Sequence, residues 1–246
     1  MCILVFDWQP DSEQPLLLLA NRDEFHDRPT AALAQWACQP RVHAGRDLEA
    51  GGSWLGAAPG RRFAALTNIR DNAPQQARSR GELVSHYLAG NLGPRAYMQQ
   101  LAQQADQYSG FNLLAGDASE LWFLHANTPQ PQRLAAGIYG LCNASLDTPW
   151  PKLVRLRSAF SQLACNDDAA LFELMRDEWR PADAMLPDTG IGLTIERALS
   201  SIFVRGSEYG TRATSLLRMG SDSIQLTERS FAPNGVPAGE QKLQVG

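Results

Sequence analysis

Short apolar runs joined by short, turn-rich links constrain this chain more than any other feature. Residues 2–8 (Cys-Ile-Leu-Val-Phe-Asp-Trp) and 16–20 (Leu-Leu-Leu-Leu-Ala) flank a link with Pro and acidic residues at 9–15. That spacing predicts a β-hairpin. The same pattern recurs at 111–115 and 120–125 around Gly116-Asp117-Ala118-Ser119, and at 211–218 and 223–229 around Met219-Gly220-Ser221-Asp222. Further strands are expected at 53–57, 62–67, 138–142 and 201–204, while 36–59 is otherwise rich in loop residues and 71–80 is a polar, exposed loop. Helical periodicity appears at 81–89, at 94–108 behind Pro94, from Trp150-Pro151 through Phe160 and Leu163, beyond a cap at Asp167 or Asp168, and at 194–200. Hairpins rather than helices join most strand pairs. Antiparallel sheets with segregated helices, an α+β class, follow from that order. No linker or internal repeat interrupts the chain, so one domain over 1–246 is expected, with a polar tail that frays from about residue 232.

Composition excludes several functions. A net charge of −4 gives no reason to expect nucleic acid or an anionic membrane surface. No apolar run approaches the roughly 18 residues of a membrane span. The first apolar run breaks at Asp7 and has no basic residues before it, unlike a secretory signal. Cys2, Cys38, Cys142 and Cys165 are widely spaced, with no C-x-x-C pair, and no two histidines have helical metal-ligand spacing. A metal site is therefore not expected, and the cysteines suit a reducing cytoplasm.

The predicted first hairpin returns Asn21-Arg22-Asp23-Glu24 to the neighbourhood of Cys2. If Met1 is removed, Cys2 carries a free α-amine beside its own thiol. Such an amine titrates near ~7.7–8.0 and can serve as a base at neutral pH, and a base within reach activates a thiol nucleophile. Alternation along an extended strand sends Asn21 and Asp23 to one face and Arg22 to the other. Asp23 could hold the amine by a charge-assisted hydrogen bond, and Arg22 could favour thiolate or bind an anionic group. Asn68, Asn112 and Asn143 stand near strand ends, where a side-chain amide can donate to a developing oxyanion. Arg212, behind Tyr209-Gly210-Thr211, offers a second anion contact. Each has a plainer reading as well: Cys2 as a buried strand residue, the asparagines as turn residues, Arg212 as a solvated edge residue. His26 and Cys142 could ligate haem or metal, but no supporting motif accompanies them.

Taken together, Met-Cys-Ile at the start, Asn-Arg-Asp-Glu at 21–24, Gly-Gly-Ser-Trp-Leu-Gly at 51–56, Ala-Leu-Thr-Asn-Ile-Arg at 65–70, Leu-Asp-Thr-Pro-Trp-Pro-Lys at 146–152 and Tyr-Gly-Thr-Arg at 209–212 resemble the transport and Golgi organisation protein 2 family, also called the NRDE family. The resemblance implies an αββα four-layer sandwich similar to N-terminal nucleophile hydrolases. Cysteine members of that superfamily, such as choloylglycine hydrolases and penicillin V acylases, cleave acyl amides. Carried over by motif, Cys2 is nucleophile and base, Arg22 and Asp23 correspond to the Arg and Asp of the second strand, Asn68 or Asn143 is the oxyanion donor, and Arg212 is the late arginine. One departure stands out: those acylases separate the Arg and Asp by two residues, whereas here they are adjacent, which changes the face each takes. Family members are also associated with secretory organisation, lipid metabolism and movement of haem.

Two functions are therefore expected. The first is an amidohydrolase of small acylated amides that uses Cys2, with Asp23, Arg22 and Asn143 in catalysis and Asn21, Asn68 and Arg212 binding substrate, and that requires no cofactor. The second is a non-catalytic carrier of haem or a lipid-type ligand in an apolar cleft, with Arg22 or Arg212 pairing its carboxylates.

Overall fold

The computed structural model describes residues 2–71, 76–163 and 167–246. Cys165, Met1 and the centre of the expected 71–80 loop lie outside the described residues. In chain order the strands are β1 (Cys2–Trp8), β2 (Leu16–Phe25), β3 (Thr30–Trp36), β4 (Gln39–Asp47), β5 (Leu55–Ala58), β6 (Arg62–Asn68), β7 (Phe111–Gly116), β8 (Leu121–His125), β9 (Thr128–Arg133), β10 (Gly137–Leu141), β11 (Tyr209–Met219), β12 (Ile224–Ala232) and β13 (Val236–Val245). The helices are α1 (Gly81–Ala89), α2 (Pro94–Ala102), α3 (Pro151–Phe160), α4 (Asp168–Leu174) and α5 (Leu193–Ala198).

The strands form two antiparallel sheets, a six-stranded one in the order β10-β1-β2-β11-β12-β13 and a seven-stranded one in the order β3 to β9. Alternation along β1 and β2 sorts their side chains. Leu4, Phe6, Trp8, Leu16 and Leu18 face the other sheet and meet Leu55, Phe63, Ala65, Leu114 and Phe123. Ile3, Val5, Leu17 and Leu19 face outward onto Leu153, Leu156 and Phe160 of α3 and Leu171 and Phe172 of α4. On the far side, Leu83, Val84, Tyr87 and Leu88 of α1 and Met98 and Leu101 of α2 cover Ala64, Leu66, Leu113 and Ala115. The result is the expected αββα sandwich. A central strand buried on both faces must be apolar along its buried length, which is why residues 2–6 and 16–20 are continuous hydrophobic runs. Each fully buried Leu or Phe is worth roughly 1.5–3 kcal/mol of transfer energy.

Several elements differ from the sequence reading. β3 lies where no element was expected and β4 in ground read mainly as loop; both are half exposed and carry Ala, Pro and Gly in place of an apolar alternation. β9 contains Pro129 and Pro131 and is almost wholly exposed at a sheet edge, the position where Pro is tolerated. Residues 201–204 form no strand, although Val204 exchanges hydrogen bonds with Thr211 (2.8 and 2.9 Å). The helix expected to reach Tyr108 ends at Ala102, before a 3-10 turn at Ala105–Gln107. The polar tail does not fray from residue 232: it pairs along β12 as β13, held by Leu243 and by buried Val245. No helix among the described residues is long and apolar enough to cross a membrane.

Candidate functional site

In the β1–β2 ladder Cys2 lies opposite Arg22, and the pairing continues through Ile3 opposite Asn21 and Leu4 opposite Ala20. Directly opposed residues share a face. Cys2 and Arg22 therefore point toward the seven-stranded sheet, in line with Leu4 and Phe6. Asn21 and Asp23 point the other way, toward the layer of α3 and α4.

A cleft of about 1070 Å³ opens where the two sheets part, and Cys2, Arg22, Asp23 and Asn68 all line it. Its floor depends on the Gly-Gly-Ser-Trp segment. Trp54 lies flat beneath Arg22, with the guanidinium carbon 4.3 Å from the ring centre. The neighbouring Ser53 amide donates to the Gly81 carbonyl (3.0 Å), and a Cβ on Gly52 would fall 2.2 Å from the Gly81 carbonyl carbon. Only glycine lets the two backbones meet there. That junction brings Arg80, at the head of α1, onto the same cleft as Arg22. The opposite wall is apolar: Phe25, Tyr209, Ile195 and Ala198 of α5, and Leu199 just after it. Asn68 makes no side-chain hydrogen bond among the described residues, so its amide is open to the cleft.

The remaining expected site residues lie outside the cleft lining. Asn21 is fully buried; its amide donates to the carbonyls of Met175 (2.8 Å) and Ile202 (2.9 Å) and accepts from the Thr214 hydroxyl (2.6 Å). It ties β2 to the helical layer and has no donor left for a substrate. Asn143 stands behind Asn68, its amide donating to the Asn68 carbonyl (2.9 Å), while its own carbonyl accepts from the Arg70 amide (2.8 Å). Asn112 is buried in a knot with Thr67 and Ala144. Arg212 occupies a β-bulge, where the β11–β2 register skips from Thr211 to Ala213, and its guanidinium donates to the carbonyls of Phe25 (3.1 Å) and Arg28. The Tyr-Gly-Thr-Arg motif thus clamps the end of β2, with the Tyr209 hydroxyl on the Asp23 carbonyl (3.0 Å) and the Thr211 hydroxyl on the Asp23 carboxylate (2.6 Å).

Burial pushes the Cys2 thiol above its ordinary value, with Asp23 and Glu24 acting in the same direction and Arg22 opposing them. Burial likewise raises the Asp23 carboxyl, against the charges of Lys152 and Arg70 and the Thr211 hydrogen bond. Lys152 is itself buried, which lowers its ammonium, and it donates to the Leu199 carbonyl at the end of α5 (2.9 Å). Arg70 binds Glu196 of α5 at 2.6 Å in a second buried contact. These cations hold the apolar wall and shape the field around Asp23. The sequence reading assigned no role to Arg80, Trp54, Lys152 or Glu196; the quoted motifs around Trp54 and Lys152 were the available signal. No cluster of His, Cys, Asp and Glu among the described residues could hold a metal, and Cys142 is buried among apolar residues of the α3 layer.

The Transport and Golgi organisation 2 family matches residues 1–233. The human Transport and Golgi organization protein 2 homolog is 34% identical over 94% of this chain and 93% of its own length. The Drosophila melanogaster Transport and Golgi organization protein 2 is 27% identical, covering 96% and 95%. Among solved structures, the Caenorhabditis elegans ortholog of N-acylethanolamine-hydrolyzing acid amidase superposes with a TM-score of 0.55, covering 88% of this chain and 92% of that one at 9% identity. That likeness establishes the N-terminal-nucleophile-hydrolase fold and nothing about activity. With a family match over nearly its whole length, this chain belongs to the Transport and Golgi organisation 2 family.

Proposed function

We propose that this protein is a thiol-dependent amidohydrolase that cleaves acyl amides at Cys2. The observation that carries the reading is the placement of Cys2 at the head of β1, lining one cleft with Arg22, Asp23 and Asn68. A thiol raised by burial holds little standing thiolate, so it needs a base. Removal of whatever precedes Cys2 frees an α-amine that can take the thiol proton, and Asp23, which lines the same cleft, is the carboxylate that holds it in this reading. The thiolate then attacks the acyl carbonyl and the oxygen becomes an oxyanion, for which the open Asn68 amide is the donor. The C–N bond breaks as the α-ammonium returns its proton to the leaving amine. Water, deprotonated by the same amine, hydrolyses the thioester and releases the acid. Asn143 holds the Asn68 backbone and so positions the donor. The N-acylethanolamine named for the structural neighbour suggests the first amides to try.

The test combines the intact mass of untagged protein with a screen of acyl amides. Loss of Met1, turnover by the wild type and none by Cys2→Ala support the reading. Retention of Met1 in active, natively produced protein refutes the mechanism.

A second reading, a carrier of haem or a lipid-type ligand, is favoured by the cleft's volume, which slightly exceeds the roughly 300–1000 Å³ of ordinary ligand pockets. In that case Trp54, Phe25 and Leu199 contact the ligand body and Arg28 or Arg80 its carboxylates. Haem titration followed by Soret absorbance separates the readings: a carrier gives a saturable shift that survives Cys2→Ala.

A further inference from the structure

We infer that Arg22 and Arg80 form a carboxylate-binding subsite beside Cys2, so that the ligand of this cleft carries one negative charge next to the reacting carbonyl. The inference rests on Cys2 being the reacting thiol.

Arg22 is 5% exposed, yet its guanidinium makes no hydrogen bond among the described residues. Its Nη2 edge is 3.7 Å from both Glu24 and Asp47, too far for a hydrogen bond. Asp47 is engaged elsewhere, by Arg28 (2.7 Å) and by the amides of Glu49 and Ala50 (3.0 and 2.9 Å). The buried Nη1 has no partner at all among the described residues. Leaving such a donor unpaired costs about 1–3 kcal/mol or more for a charged group, a cost that a carboxylate drawn against Arg22 offsets. Trp54 fixes the guanidinium plane from one side, which removes the entropy that a free arginine would lose on binding.

Arg80 supplies the second charge. The Ser53–Gly81 junction fixes its backbone next to the segment carrying Trp54, and Cys2 is among the groups whose charge it senses. It donates to the Gly110 carbonyl (3.2 Å) and faces the charge of Asp71. Arg212, which the sequence pattern suggested for this role, is committed to backbone carbonyls and does not line the cleft. The other cleft arginines are paired, Arg28 with Asp47 and Glu49 and Arg78 with Glu82. Glu24 and Asp47 at the far edge of Arg22 repel a multiply charged group, so the site fits a carboxylate better than a phosphate chain.

Alkylation of Cys2 by iodoacetate, compared with iodoacetamide, tests this directly. Both reagents form the same kind of S–C bond with loss of iodide, and only the first carries a carboxylate. The ratio of the two rates at Cys2, read by peptide mass spectrometry and divided by the ratio for glutathione, is expected to reach about tenfold, the value of one charge-assisted hydrogen bond. Arg80→Gln should lose most of that excess and Arg80→Lys should retain part of it; 1 M salt should reduce it in the wild type. A ratio equal to that of glutathione, a ratio unchanged in folded Arg80→Gln, or no reaction of Cys2 with either reagent overturns the inference. Neither alkylation requires amide turnover. Anion preference without amidase activity would therefore sink the hydrolase reading alone, and turnover without anion preference would sink only the subsite.

Discussion

Glu228 should make the stability of this protein depend on pH near neutrality. It lies in β12 with its side chain 3% exposed, between the two sheets. One oxygen accepts from the Leu33 amide of β3 (2.9 Å), a bond that crosses from one sheet to the other, and the second accepts from the Ser215 hydroxyl (3.3 Å). Arg22 is the nearest favourable charge, and these contacts do not compensate for burial, which pushes the carboxyl from 4.5 up to about 7. At about 1.36 kcal/mol per pH unit, that rise corresponds to about 3 kcal/mol. The sign follows from proton counting. Between these two pKa values the folded protein holds a proton that the unfolded chain has released, so stability falls as pH rises from about 4.5 to about 7 and the loss is complete above that window. Glu228→Gln keeps an acceptor for Leu33 and cannot ionise. Urea unfolding at pH 5 and pH 8 should show the variant gaining on the wild type by up to about 3 kcal/mol between the two pH values. Parallel stability curves for the two proteins across that range would refute the reasoning and place the Glu228 carboxyl in a far better solvated or paired setting.

Four further substitutions probe the scaffold. Asn21→Ala removes three buried hydrogen bonds between β2, β11 and the helical layer and should cost about 3 kcal/mol or more in denaturant unfolding, although Asn21 does not line the cleft. Gly52→Ala and Gly51→Ala differ in cause: at Gly52 a Cβ meets the Gly81 backbone at 2.2 Å, whereas Gly51 has open space but a φ of +81°. Gly51→Ala should cost about 1–2 kcal/mol and leave the iodoacetate preference of Cys2 intact, while Gly52→Ala should lower both stability and that preference by separating Arg80 from Trp54. Arg212→Ala should lower stability by about 1–2 kcal/mol through the uncapped carbonyls of Phe25 and Arg28, with the iodoacetamide rate at Cys2 unchanged; a changed rate at unchanged stability would return Arg212 to the cleft.

The strands most legible in the sequence are those buried on both faces. Residues 2–6 and 16–20 are apolar without interruption because one face meets Phe63 and Leu114 and the other meets Leu153 and Phe160. β3, β4, β9 and β13 escaped notice because partial exposure removes the constraint that writes a pattern: β9 tolerates two prolines, and β13 exposes most of its length. At the site, proximity of Cys2 to Arg22 and Asp23 followed from the hairpin alone. Which asparagine faces the cleft did not. Asn68 and Asn143 both stand at strand ends and differ only in which one's amide is consumed by the other's backbone, a fact of three-dimensional pairing. Arg80 follows no strand and has no periodicity; it reaches the site because Gly52 and Gly81 let two backbones touch.

The adjacency of Arg22 and Asp23 has a geometric consequence. Neighbours on a strand face opposite sides of the sheet, so Arg22 joins Cys2 on the inner face while Asp23 joins Asn21 on the outer one. A nucleophile that is also its own base presents two atoms, a side-chain sulfur and a main-chain nitrogen, and these leave the strand in different directions. In the amidase reading Arg22 serves the sulfur and a ligand bound near it, and Asp23 serves the nitrogen. The Thr211 hydroxyl donates to the Asp23 carboxylate and the Tyr209 hydroxyl to its carbonyl. The bulge at Arg212 is what permits this clamp: skipping one residue lets Thr211 pair with Asp23 on the outer face while the small Ala213 pairs with Arg22 on the inner one. Removing the hydroxyl in Thr211→Val should therefore take one hydrogen bond from the Asp23 carboxylate and raise its carboxyl further, because that hydrogen bond opposes the effect of burial. In the amidase reading, the acidic limb of the pH profile then moves to higher pH while the anion preference at Cys2 stays in place. A loss of anion preference with no movement of the acidic limb would show instead that the two faces are not separate, and that Asp23 acts on the thiol's side of the strand.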